Sequence, residues 1–326
     1  MKVIIPMAGK GTRLKPHTHT TPKSLVQVAG KPLLEHILNS ISSLSIDTVI
    51  FIVDKDYPEL RKLISEKYSF KPIFILQKER RGVGHAIFGA RKYVISEEVL
   101  ILFGDTLVEA DFKLIKNPKE DGFVWTKQVE DPREYGVTFL YNDYISKLIE
   151  KPEQPVSDKA IVGMYYFKNS DSLFESIEYL IKNDIKSHGE YQLTDAIQNL
   201  INNGAKLKAP EVKNWFDCGT VKNLLLTNEY LLKKAVSSKG NFKNSVLIKP
   251  VYIEKGVEII DSIIGPNVSI GKGAIIKNSI IKNSIINRNT ITNNVNLKEC
   301  IIGNNAKIEG TSKRLNVGDS SEVFYS

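Results

Sequence analysis

Cysteine is nearly absent: Cys218 and Cys300 are the only two in 326 residues, and they stand far apart. A disulfide framework is therefore excluded, and a reducing, cytoplasmic setting is expected. Long apolar runs are missing as well. No stretch approaches the roughly eighteen residues of a membrane helix, so no membrane partner is expected. The opening Met1-Lys2-Val3-Ile4-Ile5-Pro6-Met7 has one charge and a very short apolar run before its glycines. It suits a buried strand and not a signal peptide. Dense basic runs are also missing. The formal net charge is +8, from 45 basic and 37 acidic residues, yet nothing denser than pairs such as Arg80-Arg81 occurs. Solubility and an anionic small substrate explain that surplus before nucleic acid does, and zinc-finger spacing is absent. Neither the Walker pattern nor G-x-G-x-x-G is present.

What is present begins with alternation. Val3–Met7, Thr48–Val53, Ile73–Leu76 and Val99–Phe103 are apolar runs of strand length. Between them lie helical patterns. Pro32 suits the first position of a helix, followed by Leu33, Leu34, Ile37, Leu38, Ile41 and Leu44, and Leu60, Leu63 and Ile64 mark the next helix. Strands alternating with helices predict an α/β domain with a Rossmann-like, mostly parallel sheet covered on both faces. Ligands bind such sheets beyond the carboxyl ends of the strands. The loops after Met7, Leu76 and Phe103 are therefore expected to share one crevice.

The texture changes near residue 237. Ser237-Ser238-Lys239-Gly240-Asn241 has the composition of a linker, and isoleucine pairs then recur among small polar residues. Ile264-Gly265, Ile270-Gly271 and Ile302-Gly303 begin hexads, while Ile275-Ile276, Ile280-Ile281 and Ile285-Ile286 step by five. An internal repeat predicts a solenoid. These hexads resemble the hexapeptide-repeat left-handed β-helix, although the five-residue steps leave the coil register open. A β-sandwich would need clearer polar–apolar alternation. Two domains are expected, 1–236 for nucleotide chemistry and 237–326 for a short β-helix. The five histidines, His17, His19, His36, His85 and His188, all precede the repeat. That makes the repeat a scaffold or homo-oligomerisation module before it makes it an acetyltransferase needing a histidine base.

The chemistry-bearing residues start after the first strand. In Ala8-Gly9-Lys10-Gly11-Thr12-Arg13, glycines let backbone N–H groups approach phosphate closely, and Arg13 with Lys23 can neutralise a triphosphate. Asp105 closes a buried strand, a suitable place for a carboxylate that holds a hard cation. Gly9-Lys10-Gly11-Thr12-Arg13-Leu14, Pro16, Thr18, Pro22-Lys23, Leu25, Val28 and Gly30-Lys31-Pro32-Leu33 together resemble the opening of the sugar nucleotidylyltransferase superfamily. That family includes glucose-1-phosphate thymidylyl- and uridylyltransferases and the mannose, glucosamine and ADP-glucose enzymes.

The resemblance implies the remaining roles. Gln77 and Gly82 would read a pyrimidine base, since a primary amide both donates and accepts. Asp217, in Trp215-Phe216-Asp217-Cys218-Gly219-Thr220, would be the second Mg²⁺ carboxylate beside Asp105, although a helix-capping role is open to it. Gly136, Glu150 and Lys151 would bind sugar and sugar phosphate, with Tyr165 and Thr194 following in family order. Thr194 and Asp195 also suit a helix cap. The implied reaction is attack of a sugar-1-phosphate on the α-phosphorus of dTTP or UTP. Arg13, Lys23 and Lys151 would carry the charge stabilisation, and pyrophosphate would leave. Mannose-1-phosphate guanylyl transfer, N-acetylglucosamine-1-phosphate uridylyl transfer and a non-catalytic regulatory subunit are the alternatives.

Overall fold

The computed structural model describes residues 1–19, 21–234, 237–310 and 316–324. Packing divides the chain into two compact units, Met1–Gly9 with Ile37–Trp215, and Lys10–His36 with Phe216–Ser326. Residues 235 and 236, where the sequence places the domain boundary, lie outside the described residues.

The first unit is built on strands β1 (Lys2–Pro6), β2 (Thr48–Val53), β3 (Lys71–Leu76) and β4 (Val99–Leu102). β1 pairs in parallel with β2 on one side and β4 on the other, and β3 continues beyond β2. Val3, Ile4 and Ile5 are fully buried, as expected of a strand covered on both faces. The parallel sheet is thus as its apolar runs predict. The sequence did not expose an antiparallel half made of β5 (Gly122–Gln128), β6 (Val137–Tyr141), β7 (Tyr144–Ile149) and β8 (Lys159–Phe167). The sheet runs β7-β6-β8-β4-β1-β2-β3, with β5 on β8. Helices α1 (Ser170–Lys182) and α2 (Leu193–Asn202) bury Leu173, Phe174, Ile177, Ala196 and Ile197 with Ile4 and Ile101 in one core.

Two local expectations need correction. Pro32 does not start a helix; it pairs with Gln27 in a two-residue ladder, and the helix spans Leu33–Ser40. Ser237–Asn241 is not a linker. Ser237 and Ser238 pair with Tyr252 and Ile253, and Asn241 pairs with Glu258, so this segment is the first coil of the solenoid. Small polar residues are what such a coil needs at its corners, and for that reason composition could not separate the two.

In the second unit the solenoid is a left-handed β-helix with three parallel ladders. One runs through Val268–Ile270, Ile285–Ile286 and Ile301–Ile302, a second through Ile275–Lys277 and Ile291–Asn293, and a third through Ile263–Ile264 and Ile280–Lys282. The five-residue steps now have a cause. Ile275, Ile280 and Ile285 lie on three successive faces, so each step crosses a corner. Ile264, Ile270, Ile276, Ile281, Ile286 and Ile302 all point inward and are essentially buried. The corners require left-handed backbone. Asn244, Asp261, Asn278 and Asn294 have φ between 47° and 56°, and Asn and Asp adopt that region more readily than bulkier residues. Asn267 and Asn283, also left-handed at φ 60° and 46°, form a side-chain ladder, with Asn267 Nδ2 donating to Asn283 Oδ1 at 3.0 Å.

One position breaks the inward stack. Thr292 replaces isoleucine between Ile276 and Ile308, and its buried hydroxyl has no hydrogen-bond partner among the described residues. Thr292→Val should raise stability by about 1 kcal/mol, whereas Ile281→Ala should cost about 2–5 kcal/mol. Urea unfolding of both variants checks the pair of signs.

Candidate active site

In the first unit the strand ends present the expected residues. Met7 N–H donates to Ile52 O at 2.7 Å, and Gln77 N–H to Val53 O at 2.8 Å. Gly104 N–H donates to Pro6 O at 3.3 Å, and a Cβ on Gly104 would meet Met7 Cγ at 2.8 Å. Ala8, Gln77 and Asp105 therefore all follow strands that finish side by side. Gly82 is dictated by packing as well as by chemistry. Its φ is +110°, and a Cβ there would fall 2.5 Å from Tyr191 O. Tyr191 N–H donates to Arg81 O at 2.8 Å, and Arg81 Nη2 reaches Tyr191 Oη at 3.0 Å. Tyr191 supports the Gln77–Gly82 loop, a role that its sequence motif did not reveal.

A second cluster in this unit assembles four of the expected sugar residues. Thr194 Oγ1–H donates to Glu150 Oε2 at 2.6 Å. A Cβ on Gly136 would lie 3.0 Å from that carboxylate oxygen and 3.3 Å from Thr194 Oγ1, so glycine is what lets the three meet. Tyr165 is buried, and its burial and the Glu150 charge push the phenol well above its ordinary pKa, keeping it neutral. Thr194 is inside α2, whose cap residue is Gln192; the capping alternative for Thr194 therefore fails. Asp195 Oδ2 is buried without a partner among the described residues, and burial raises its pKa. Lys151 is exposed, with a φ of +42°, a conformation that costs a non-glycine residue and collects at functional sites. Its N–H donates to Tyr135 O at 3.1 Å. Beside it, the Tyr135 and Trp215 rings meet edge-on at 4.7 Å. The indole N–H of Trp215 is buried without a partner among the described residues. Sequence reasoning had passed over this indole.

In the second unit Gly11 has a φ of +58°, and Thr18 Oγ1–H closes its turn onto Gly11 O at 2.7 Å. Thr12 and Arg13 follow in that turn, and Lys23 opens a second one. Arg13 and Asp217 converge on one glycine. A Cβ on Gly219 would lie 2.9 Å from Arg13 Nη2 and 2.9 Å from Asp217 Oδ1. Capping of α3 (Val221–Lys234) falls to Thr220, whose Oγ1 accepts from Asn223 N–H at 3.2 Å, so Asp217 is not the cap.

Residues 2–234 match the nucleotidyl transferase family, and residues 222–289 match the GlmU-like, C-terminal hexapeptide family. This chain belongs to the nucleotidyl transferase family. Similar proteins include a Streptomyces antibioticus glucose-1-phosphate thymidylyltransferase, 30% identical over 83% of each chain. A Methanococcus maripaludis bifunctional protein GlmU is 35% identical over 95% of this chain and 72% of its own length. A Bacillus anthracis crystal structure, provisionally named a glucose-1-phosphate thymidylyltransferase and complexed with sucrose, has a TM-score of 0.62 at 25% identity. It covers 73% of this chain and 98% of its own. Nucleotide and sugar-phosphate substrates fit this nucleotidyltransferase.

The family generally depends on a divalent metal. Asp105 and Asp217 offer only oxygen donors, which suit a hard cation. Among the described residues no group of three or more His, Cys, Asp or Glu is placed to hold a metal. Mg²⁺ usually takes one or two carboxylates and fills the rest of its shell with phosphate and water. Among the described residues, no helix is long and apolar enough to cross a membrane.

Two variants probe these clusters separately. Thr194→Val removes the hydrogen bond to Glu150 and should raise KM for the sugar phosphate about tenfold, with KM for the nucleotide unmoved. Gly219→Ala forces Arg13 and Asp217 apart and should lower kcat at least about tenfold, with the thermal midpoint nearly unchanged. Steady-state kinetics and a melting curve on each variant check both.

Proposed function

We propose that this nucleotidyltransferase couples a pyrimidine nucleoside triphosphate, dTTP or UTP, to glucose-1-phosphate, giving the nucleotide sugar and pyrophosphate. The observation that carries the sugar side is the Gly136–Glu150–Thr194 cluster. A carboxylate oriented by a 2.6 Å hydrogen bond is a preorganised acceptor for sugar hydroxyls and needs no reorganisation on binding. Gln77, whose amide can match a carbonyl and an N–H together, supports a pyrimidine.

The step is one in-line displacement. The phosphate oxygen of the sugar-1-phosphate attacks the α-phosphorus, a P–O bond forms, and the bond to the β-phosphate oxygen breaks. A phosphate monoester dianion is already nucleophilic, so no general base is invoked. Alignment and charge compensation lower the barrier. Arg13 stabilises the α-phosphate and the departing pyrophosphate, while the Ala8–Thr12 backbone cradles the phosphates. Lys23 and Lys151 hold two mutually repelling anions. Asp105 and Asp217 would hold Mg²⁺, which would supply compensation for the developing charge.

Uridylyl transfer to N-acetylglucosamine-1-phosphate is a second reading, favoured by the 35% identity to a bifunctional protein GlmU. The two buried free cysteines support a reducing cytoplasm, and the β-helix supports homo-oligomerisation.

A panel of dTTP, UTP, GTP and ATP against glucose-, N-acetylglucosamine- and mannose-1-phosphate, scored by pyrophosphate release, tests the choice. Glucose-1-phosphate with a pyrimidine triphosphate should give the highest kcat/KM. Preference for a purine, or for N-acetylglucosamine-1-phosphate, would reject it. Arg13→Ala should lower kcat by about 10²–10³ while leaving stability intact.

A further inference from the structure

The segment that carries Arg13 and Lys23 is mounted on the β-helix on both sides of Lys23. At one mounting, Pro16 lies against Gly318 of the last described coil, where a Cβ would fall 2.9 Å from Pro16 Cβ and 3.0 Å from Pro16 Cγ. Next to it, His17 pairs through Nε2 with Asn316 Oδ1. His17 is 5% exposed. Burial lowers its pKa, against the opposing pull of Asn316 and Asp319. The ring is therefore neutral, and its Nε2–H is the donor to the amide oxygen.

At the other mounting, Ala29 N–H donates to Asn228 Oδ1 at 2.9 Å. Asn228 is fully buried in α3 and is held in turn by the β-helix: its Nδ2 donates to Asn267 O at 3.1 Å, and Ser269 Oγ donates to Asn228 Oδ1 at 2.9 Å. Gly30 follows with a φ of +83°, and a Cβ there would fall 2.0 Å from Tyr252 Cε1. The aromatic ring of the second coil occupies the space that any side chain at residue 30 would need.

Beside the mountings the chain is internally tied. Leu14 N–H donates to Gly11 O at 3.0 Å, His17 N–H to Leu14 O at 3.0 Å, and Leu25 N–H to Pro22 O at 2.8 Å. A displacement at residue 17 is therefore transmitted through two backbone bonds to the turn that bears Arg13. Misplacing a charge-stabilising group by about 1 Å costs on the order of 10²-fold in rate.

We infer that the β-helix is a positioning element of nucleotidyl transfer. Through Asn316 and Gly318 on one side, and Asn228 and Tyr252 on the other, it fixes residues 11–19 and 21–30 in the conformation that presents Arg13 and Lys23 to the triphosphate. This rests on the triphosphate role proposed above for those two residues. It assigns the repeat a part in the reaction that an assembly module alone would not have.

The test uses the full chain with Asn316→Ala, Tyr252→Ala, Gly318→Ala and His17→Gln. Hydrogen–deuterium exchange without ligand reads the mounting itself. The amides of residues 11–19 should exchange at least about tenfold faster in Asn316→Ala and Gly318→Ala, and those of residues 25–33 in Tyr252→Ala. Peptides from the β-helix core around 268–286 should keep their protection. His17→Gln retains an N–H donor for Asn316 and should stay close to wild type. In turnover, the first three variants should lose about tenfold in kcat/KM for the nucleoside triphosphate, with KM for the sugar phosphate unmoved. Unchanged exchange in Asn316→Ala and Tyr252→Ala overturns the inference whatever the substrates are. So does a rise in KM for the sugar phosphate as large as that for the triphosphate, or wild-type kinetics despite faster exchange. A wild-type chain that releases no pyrophosphate with any pair overturns the proposed function first and this inference with it.

Discussion

Pro6 ends the central strand β1 and Met7 follows it, and their backbone groups determine where the first unit can do chemistry. Pro6 O accepts from Gly104 N–H, and Met7 N–H donates to Ile52 O. These bonds continue the parallel ladders by one step and bring the strand ends to a common edge. Ala8, Gln77 and Asp105 leave the sheet at that edge, and Gln77 and Asp105 carry polar side chains where apolar packing stops. A parallel sheet places its ligand there because every crossover returns the chain to the opposite end. The antiparallel half adds the Gly136–Glu150–Thr194 cluster from a different direction. Gly163 has a φ of +78° at an irregularity in the β5–β8 register, and the chain then runs on to Tyr165.

Glycine recurs at the places where side chains must converge, for reasons that differ. Gly136 makes room for Glu150 and Thr194, and Gly219 for Arg13 and Asp217, so both serve the charged groups directly. Gly82, Gly30 and Gly318 make room for Tyr191, Tyr252 and Pro16. They serve the supports behind those groups. At Gly9 a Cβ would meet no described neighbour within 4 Å, so packing does not require glycine there.

Much of this was legible in the sequence because apolar periodicity is a local property. The β1, β2 and β4 runs and the inward isoleucines were readable in that way. The antiparallel strands β5 to β8 were not, since the apolar run in Gly122–Gln128 is only Phe123, Val124 and Trp125, and Tyr144–Ile149 mixes exposed and buried positions without a period-two signature strong enough to stand alone. Ser237–Asn241 looked like a linker because corner residues of a β-helix and linker residues share a composition. The contacts of Tyr191, Trp215, Tyr252 and Asn316 were out of reach for a plainer reason. Each joins positions far apart in the chain, such as His17 with Asn316, and nothing at either position names the other. Even so, Arg13 with Asp217, and Gly136 with Glu150 and Thr194, were singled out by motif before any geometry, and each set shares one cluster in its own unit.

The proposed nucleotidyl transfer is a single direct displacement at the α-phosphorus, assisted by positioned charge and not by a covalent nucleotidyl–enzyme. The stereochemical course measures this most directly. The accepted triphosphate, prepared as its Sp α-thio analogue, is converted with the sugar-1-phosphate, and the configuration of the product is read by ³¹P NMR. One in-line attack predicts inversion at the α-phosphorus. Retention would require two displacements through an enzyme-bound nucleotidyl group and would contradict the account.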